Sequence, residues 1–520
     1  MPTPGSRGGH AGRTARATPS SHDLGAIRSG GHGGWKWRRL VVCGIADLES
    51  AGAAAGGMAG LADVLPSATR RYGRLKICAT SARHFRSHPT TSMSDIRAGS
   101  PTFPALLMRT KVTGLIVALA QLVLVSAALA AGPLPVVSPA RAGFDPGRLD
   151  RMHGYARGLV ADGKYPGLVT LVARDGKIVE WQSFGERAPG VPLKPDDIFA
   201  IASLTKIVTT VGALVLVEEG RLGIDDPIAT YLPEFKDPKV AQGGPAPFAP
   251  PVDAVRPITL RHLLTHTAGL SGSAPLKDAD IPLPRRVDGD FTTLADMTRE
   301  LAAHTLQHQP GEKWVYGPAT DVLGRLIEVV SGKPFDVFLD ERVLRPLKMR
   351  DTSFAVPPSK QARQVTMHVR QADGSLAATA PKPRQHPWPS GSGGLYSTPA
   401  DYVRFAQMLL GGGELDGVRI LGRKTVELMT QDHLHGLAKP TKIYPVTDGF
   451  GFGVEIRSDV ARSGWLGSQG TYGWNGATTA YCSIDPKERL IAMVWAQHAP
   501  NAEFQLYERF NNLVYQALVR

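Results

Sequence analysis

Ser203 and Lys206 stand three residues apart at the start of a predicted helix. That spacing brings a hydroxyl and an amine to one face of a helix. A serine hydroxyl is a weak nucleophile until a neighbouring group takes its proton, and a lysine desolvated in a pocket has a pKa low enough to do so. We interpret the two residues as a candidate nucleophile and general base. Because this pattern arises by chance about once or twice in a chain of this length, a capping serine beside a solvated lysine is the alternative.

The helix that carries these residues is predicted from the apolar period after Ser203. The apolar positions are Ile207, Val208, Val211, Leu214 and Val215. Their spacing is close to 3.6 and predicts an amphipathic helix with one apolar stripe, ending near Gly220. Ser203 is then in the first turn, where free N–H groups and the positive end of the helix dipole favour negative charge.

The charge of the chain is concentrated at its N-terminus. The 520 residues carry a net charge of +13, but residues 1–130 hold 16 basic and 5 acidic residues. The remainder has 43 basic against 41 acidic residues and is nearly neutral. The body of the protein therefore gives no indication of a nucleic-acid partner. A hydrophobic content of 42% is ordinary for a soluble globular enzyme.

The N-terminal part does not have the pattern of a folded domain. Residues 1–107 lack a sustained period of 2 or 3.6, and we interpret them as a non-native or disordered extension. Residues 108–130 combine basic residues, an apolar run and small residues ending at Ala130, which is typical of a secretory signal peptide. We hypothesise that translation starts at Met108 and that the protein is periplasmic or secreted after cleavage near Ala130. The alternative is a real extension followed by an uncleaved membrane anchor.

Cysteine and histidine spacing gives no metal site. The cysteines are Cys43, Cys78 and Cys482, and only the last lies in the body, in a strand-like run where a buried hydrophobe is expected. His262 and His266 have the i, i+4 spacing of a zinc helix, but no glutamate follows the first histidine and no third ligand is evident. We predict a structural helix end there, terminated by Gly269.

The order of elements predicts one domain after a linker at residues 131–143. A helix is expected from Phe144 to about Ala161, followed by a hairpin on Asp175-Gly176. A second hairpin flanks residues 485–487, and a last helix is expected over residues 502–518. If the two hairpins pair, the fold is α/β of the α+β type. It then has an antiparallel sheet flanked by the first and last helices, a mainly helical region, and the nucleophile helix beneath the sheet's edge.

Two further stretches offer chemistry. Tyr316 stands at a loop-to-helix junction and could hold its hydroxyl against Ser203 and Lys206, although a half-buried packing role is equally consistent with the segment. Residues 470–477 are rich in glycine, which allows a strand to approach a substrate and a backbone N–H to serve an oxyanion hole, or forms a bulge or turn. The body lacks Gly-x-Ser-x-Gly, Gly-x-Gly-x-x-Gly and Walker patterns, so no nucleotide cofactor is implied.

Several motifs, taken in order, resemble the serine β-lactamase and penicillin-binding superfamily, in its class C, D-alanyl-D-alanine carboxypeptidase and family VIII esterase branch. The matching stretches are Ile201-Ala-Ser-Leu-Thr-Lys206, Leu263-Leu-Thr-His-Thr-Ala-Gly269, Tyr316 with Thr320-Asp-Val-Leu-Gly324, Gly393-Gly-Leu-Tyr-Ser-Thr-Pro-Ala-Asp401 and Gly473-Trp-Asn-Gly476. The resemblance covers residues 144–520. It implies a β-lactamase/transpeptidase-like fold with the site between the sheet and the helical region.

The resemblance also implies residue roles. Ser203 attacks an acyl carbonyl while Lys206 and Tyr316 share its proton as general base. The N–H groups of Ser203 and Ala477 hold the oxyanion. Tyr316 then activates the water that releases the acyl group, and no metal or cofactor is needed.

Two departures from the family pattern bear on the substrate. Tyr316-Gly317-Pro318 replaces Tyr-Ser-Asn and loses an amide, and Trp474-Asn475-Gly476 replaces Lys-Thr-Gly and loses a cation. We therefore predict a hydrolase of small-molecule esters, with Trp474, Asn475 and Gly476 in an uncharged substrate pocket.

Two alternatives remain open at this point. The first is an amide hydrolase (a β-lactamase, D,D-peptidase or D-aminopeptidase) in which Lys382 or Arg384 replaces the lost cation. The second is a wall-binding or sensor protein that is acylated and never turns over, because Gly317-Pro318 displaces Tyr316. In every case we expect membrane contact only through the signal peptide or an uncleaved anchor.

Overall fold

The computed structural model describes residues 133–242, 249–270, 291–434, 436–437 and 449–520. The predictions for residues 1–130, including the signal peptide and the start site, lie outside the described residues. Within the described ranges no helix is long and apolar enough to cross a membrane.

In the described part of the chain, the strands of the largest sheet come from the two ends of the domain, and most of the helices lie between them in sequence. The strands are β1 (Gly167–Arg174), β2 (Lys177–Ala188), β3 (Val191–Pro192), β4 (Phe199–Ala200), β5 (Lys239–Val240), β6 (Val252–Asp253), β7 (Met367–Arg370), β8 (Leu376–Thr379), β9 (Tyr396–Ser397), β10 (Glu414–Leu415), β11 (Val418–Arg419), β12 (Gly449–Phe450), β13 (Glu455–Ile456), β14 (Tyr472–Gly476), β15 (Ala480–Asp485), β16 (Leu490–Trp495) and β17 (His498–Ala499). The α-helices are α1 (Pro146–Ala161), α2 (Thr205–Glu218), α3 (Leu260–Leu264), α4 (Leu294–Ala302), α5 (Ala319–Ser331), α6 (Phe335–Leu339), α7 (Pro399–Leu410), α8 (Arg423–Met429), α9 (Val460–Ser463) and α10 (Leu506–Tyr515).

The two predicted hairpins join in one antiparallel sheet, as expected. Its strand order is β12-β13-β14-β15-β16-β1-β2-β3. The junction is the pairing of β1 with β16, where Val169 lies opposite Trp495. The prediction that the nucleophile helix lies beneath the sheet's edge is wrong, because β13 and β12 extend the sheet beyond β14, the strand that meets Ser203.

One face of the sheet is covered by the first and last helices, which share one apolar cluster with the strands. Helix α1 begins after Asp145, whose side chain accepts the Arg148 N–H at 2.8 Å. Helix α10 begins later than predicted. Ala502, Phe504 and Gln505 have left-handed backbone angles, so the helix can start only at Leu506.

The other face carries the mainly helical region, with α2 at its centre. Every residue of α2 from Thr205 to Leu216 is buried. The prediction of an amphipathic helix with one apolar stripe is therefore wrong. Helices α5 and α6 pack on α2, and Tyr402 of α7 donates its hydroxyl to the Leu204 carbonyl at 3.1 Å. A helix buried on all sides holds its first turn in a fixed position.

The two histidines singled out by their spacing do not share a helix. Helix α3 ends at Leu264, and His266 beyond it has a φ of 55°. The prediction that Gly269 terminates the helix is wrong for the same reason. His262 has a capping role, since its Nδ1 accepts the Thr259 N–H at 3.1 Å. The described part of the chain contains no group of three or more His, Cys, Asp or Glu side chains that could hold a metal ion.

Cys482 is a buried residue of β15, as predicted, with 1% of its surface exposed. Burial raises the pKa of its thiol well above the usual range. A thiol that keeps its proton is a poor nucleophile. Cys482 therefore acts as a packing residue.

Candidate active site

Ser203 lies in a short 3₁₀ turn, Ala202–Leu204, that leads directly into α2. The residue before it, Ala202, has a φ of 44°, a left-handed conformation that an alanine adopts only under constraint. Part of that constraint comes from the Ile201 N–H, which donates to the Leu395 carbonyl at 3.0 Å. The hydroxyl-bearing residue is half-buried and is placed by a turn that the neighbouring segments force on the chain.

Lys206 lies below Ser203 in the first turn of α2. Its Nζ is 3.3 Å from the Ser203 Oγ and 2.7 Å from the Ser392 carbonyl oxygen. Only 4% of Lys206 is exposed. Burial lowers the pKa of the amine to about 8, and the negative charge of Asp321 opposes that shift. The structure thus brings the two sequence-predicted residues together and makes the amine a base usable near neutral pH.

Tyr316 completes a group of three around the Ser203 hydroxyl. Its own hydroxyl hydrogen-bonds with Ser203 and accepts the Trp474 Nε1–H at 3.2 Å. The Lys206 Nζ lies 4.6 Å from the centre of the tyrosine ring. Burial raises the pKa of Tyr316 well above its usual value, so the phenol keeps its proton at neutral pH.

An aromatic group positions Tyr316. The ring centroids of His266 and Trp474 lie 4.7 and 5.3 Å from that of the tyrosine, and that of Trp314 lies 6.1 Å away. Burial lowers the pKa of His266 to about 3. The imidazole is therefore neutral and works as a packing surface. Sequence reasoning had given His266 no part in the site.

The end of β14 rests against the nucleophile turn. A Cβ on Gly476 would lie 2.3 Å from the Ile201 carbonyl oxygen, so only glycine fits at this contact. One residue beyond Ala477, the Thr478 hydroxyl donates to the Ala200 carbonyl at 2.6 Å. These two contacts flank Ala477 and hold it beside the turn of Ser203.

The side chains of Trp474 and Asn475 point to opposite faces of the sheet, as neighbours in a strand do. Trp474 is 4% exposed and belongs to the apolar cluster that includes α2. The Asn475 Oδ1 accepts the Asn501 Nδ2–H at 2.7 Å, beside a cavity of about 390 Å³ that Tyr507 also lines. The Asn475 side chain is thus held by Asn501 beside that cavity, and its part in substrate binding stays a prediction.

Residues 390–392, which the sequence analysis did not identify, connect helices α2 and α5 at the site. The Thr209 hydroxyl of α2 donates to the Gly391 carbonyl at 2.9 Å. The Asp321 Oδ1 of α5 accepts the Ser390 hydroxyl at 2.8 Å and the Ser392 N–H at 3.1 Å. Its sequence signal was weak: Asp321 stands inside one matched motif, and residues 390–392 directly precede another.

The loop cations of the rival hypothesis lie near the site but outside its centre. Lys382 and Arg384 are exposed. Lys382 is close enough to the half-buried His386 to affect its pKa, which burial lowers first and the charges of Lys206 and Lys382 lower further. Asp321 acts on His386 in the opposite direction. His386 is thus the residue that links the loop to the charges of the site.

Comparison with known proteins places these features in one family. The family model described as Beta-lactamase matches residues 152–516. Protein Rv1367c of Mycobacterium tuberculosis (strain ATCC 25618 / H37Rv) is 36% identical over 369 residues, which cover 68% of this chain and 91% of that protein. The range matched by the family model includes Ser203, Lys206, Tyr316 and β14.

Relatives with named activities are more distant. Esterase EstB of Burkholderia gladioli is 31% identical over 340 residues, covering 60% of this chain and 80% of its own. The D-alanyl-D-alanine-carboxypeptidase/endopeptidase AmpH of Escherichia coli (strain K12) is 28% identical over 362 residues, covering 66% and 83%. Among solved structures, unliganded simvastatin synthase (LovD) from Aspergillus terreus matches with a TM-score of 0.59 and 25% identity, over 71% of this chain and 98% of that one.

Proposed function

Because the chain belongs to the beta-lactamase family and is a serine hydrolase, we propose that it hydrolyses small carboxylic esters through an acyl-enzyme on Ser203. The observation that carries the choice of ester is Trp474. It stands where the family's Lys-Thr-Gly motif has its lysine, and its indole N–H is directed at the Tyr316 hydroxyl. The motif therefore offers no charge to a β-lactam or peptide carboxylate. EstB, an esterase by name, is a relative consistent with this choice.

Acylation uses Lys206 as the base. With a pKa of about 8, about a tenth of the amine is neutral at pH 7. The ionised fraction of Tyr316 is negligible at that pH, because burial raises its pKa. Neutral Lys206 takes the Ser203 proton as Oγ attacks the carbonyl carbon. The backbone N–H groups of Ser203 and Ala477 stabilise the oxyanion. When the tetrahedral intermediate collapses, the alkoxide leaving group receives the proton through Tyr316.

Deacylation runs through the same groups in reverse order. A water enters where the alcohol left, and the Tyr316 hydroxyl orients it. The water proton passes to neutral Lys206 as the oxygen attacks the acyl carbon. When the tetrahedral intermediate collapses, the protonated amine returns a proton to the departing Ser203 Oγ, which restores the serine and the neutral base. The contact of Tyr316 with Ser203 supports turnover over a permanently acylated sensor, since Gly317-Pro318 leaves the tyrosine in place.

An amide hydrolase on the same machinery is the second candidate. It is supported by the position of Lys382 near His386 and by the relative AmpH. In this case a loop cation binds the carboxylate that the β14 motif leaves unpaired. The two proposed functions share the mechanism at Ser203. They differ in whether the substrate carries a carboxylate charge.

A paired assay tests the proposal. Purified protein is compared on p-nitrophenyl butyrate and nitrocefin, alongside Ser203→Ala and the exposed control Ser359→Ala. We expect strong ester turnover, weak nitrocefin turnover, loss of both in Ser203→Ala and no change in Ser359→Ala. Nitrocefin as the better substrate would overturn the choice of ester, and a persistent β-lactam adduct on Ser203, seen by mass spectrometry, would favour the sensor.

We also propose that the protein is exported after cleavage near Ala130, with residues 144–520 as its catalytic domain. The family match begins at residue 152 and accords with that boundary. N-terminal sequencing of the exported protein tests the cleavage, because a mature terminus upstream of Met108 would contradict the start-site hypothesis.

A further inference from the structure

Asp321 lies one layer behind the three residues that surround the Ser203 hydroxyl. It is in the first turn of α5, and 7% of it is exposed. The described donors to its carboxylate are neutral groups, the Ser390 hydroxyl and the Ser392 N–H. A buried carboxylate whose hydrogen-bond donors are neutral groups is costly, and such groups are kept where their charge has a use.

We propose that Asp321 is a positioning residue for catalysis: its carboxylate holds the 390–392 turn so that the Ser392 carbonyl fixes the Lys206 amine, and its charge balances that amine when protonated. The inference rests on the proposed role of Lys206 as base. It concerns the base and leaves the identity of the substrate open.

The contacts form a continuous path from Asp321 to Lys206. The Asp321 Oδ1 accepts the N–H of Ser392 at 3.1 Å, and the carbonyl of that same residue accepts the Lys206 Nζ–H at 2.7 Å. The Ser392 hydroxyl is also 3.1 Å from the Thr320 hydroxyl of α5. The turn is thus fixed at its amide, its hydroxyl and its carbonyl.

The turn has no freedom to move away from the two helices. A Cβ on Gly391 would lie 2.4 Å from the Thr320 carbonyl oxygen and 3.1 Å from the Thr209 Cγ2. The turn is therefore wedged between α2 and α5. Pro318, where the family usually has an asparagine, has no polar side chain to offer Lys206, and the fixed Ser392 carbonyl supplies a hydrogen-bond acceptor.

The charge balance around Lys206 also depends on Asp321. The titratable groups that face the amine are His266, Tyr316, His386 and Asp321. The two histidines have lowered pKa values and Tyr316 a raised one, so all three are neutral at neutral pH. Asp321 is the group whose charge opposes the effect of burial on the Lys206 pKa.

Two variants separate the charge from the hydrogen bonds. Asp321→Asn removes the negative charge, but the amide oxygen can still accept the hydrogen bonds from Ser390 and Ser392. Asp321→Ala removes both the charge and the hydrogen bonds. The readout is the rate at which a fluorophosphonate labels Ser203 between pH 5 and 10, because this rate reports the nucleophile and its base without depending on ester preference. Asp162→Asn, at an exposed carboxylate after α1, is the matched control.

We expect the acidic limb of the labelling profile to move down by about half a pH unit or more in Asp321→Asn, with a plateau close to that of the original protein. Asp321→Ala should lower the plateau at least tenfold, and Asp162→Asn should change nothing. A purely structural role would lower the plateau in both variants and leave the limb in place.

An Asp321→Asn limb within 0.2 pH units of the original would overturn the charge role. A normal plateau in Asp321→Ala would overturn the positioning role. If Asp321→Ala does not fold, Ser390→Ala, which removes one hydrogen-bond donor to Asp321, is tested in its place. Labelling of Ser203 without ester turnover would mean that the proposed function fails while this inference stands.

Discussion

Gly476→Ala tests whether the fit between β14 and the nucleophile turn supports catalysis. The new Cβ would lie 2.3 Å from the Ile201 carbonyl oxygen and 3.2 Å from the Ala202 Cβ. Real Cβ atoms do not approach closer than 3.0 Å, so the strand end and the turn must separate by about 0.7 Å. Both contacts are with backbone or with the first atom of a side chain, so neither can move aside by rotation.

The shift falls on the proposed oxyanion hole. Gly476 directly precedes Ala477, and Ile201 lies two residues before Ser203, so the separation moves one N–H donor away from the other. Loss of one oxyanion donor costs about 100- to 1000-fold in kcat, and a misplacement of about 1 Å costs about 100-fold. We therefore expect kcat for p-nitrophenyl butyrate to fall about 100-fold with a smaller change in KM.

The control is Gly158→Ala in α1. A Cβ there meets nothing within 4 Å, and the change should stabilise the helix by about 1 kcal/mol without affecting kcat. Thermal unfolding of both variants separates a local shift from loss of fold. A Gly476→Ala enzyme with kcat within threefold of the original and an unchanged Tm would refute the placement of Ala477 in the oxyanion hole.

Two further predictions concern the base and the tyrosine. Since only neutral Lys206 can accept a proton and its pKa is about 8, kcat/KM for the ester should rise about ninefold from pH 6 to pH 7 and level off above pH 9. A flat profile from pH 6 to pH 9 would exclude Lys206 as the titrating base. Trp474→Phe removes the N–H that Tyr316 accepts at 3.2 Å, so kcat should fall about fivefold, equivalent to about 1 kcal/mol, with KM nearly unchanged. Equal kcat values for the two proteins would show that this hydrogen bond has no role in turnover.

The parts of the fold that sequence predicted are those set by local patterns. The hairpin turn at Asp175-Gly176, the start of α1 and the position of Tyr316 just before α5 each follow from a few neighbouring residues. Ser203 and Lys206 were found because their contact spans a single helical turn. The pairing of β1 with β16 joins distant segments, yet it followed from two strong hairpins that each needed a partner.

The wrong prediction of one apolar stripe on α2 overlooked a signal in the sequence. Helix α2 has no charged residue between Lys206 and Glu218, a composition typical of a helix buried on all sides. Thr209 and Thr210 interrupt the apolar pattern, yet both are buried. The Thr209 hydroxyl is satisfied there by donating to the Gly391 carbonyl.

The contacts around Asp321 could not be predicted, because they join residues about 70 positions apart through a backbone amide and a carbonyl. Backbone groups leave no mark on residue type, so the Ser392 carbonyl that holds Lys206 has no sequence signature. The close approach does leave one at Gly391 and Gly476, where the fit excludes a Cβ. Gly391 lies against Thr209 of the buried helix α2, and Gly476 lies against the turn before that helix. Because α2 is packed on all sides, the proposed nucleophile in the turn before it has a fixed position. Glycine is the residue that lets the partner backbones approach that position.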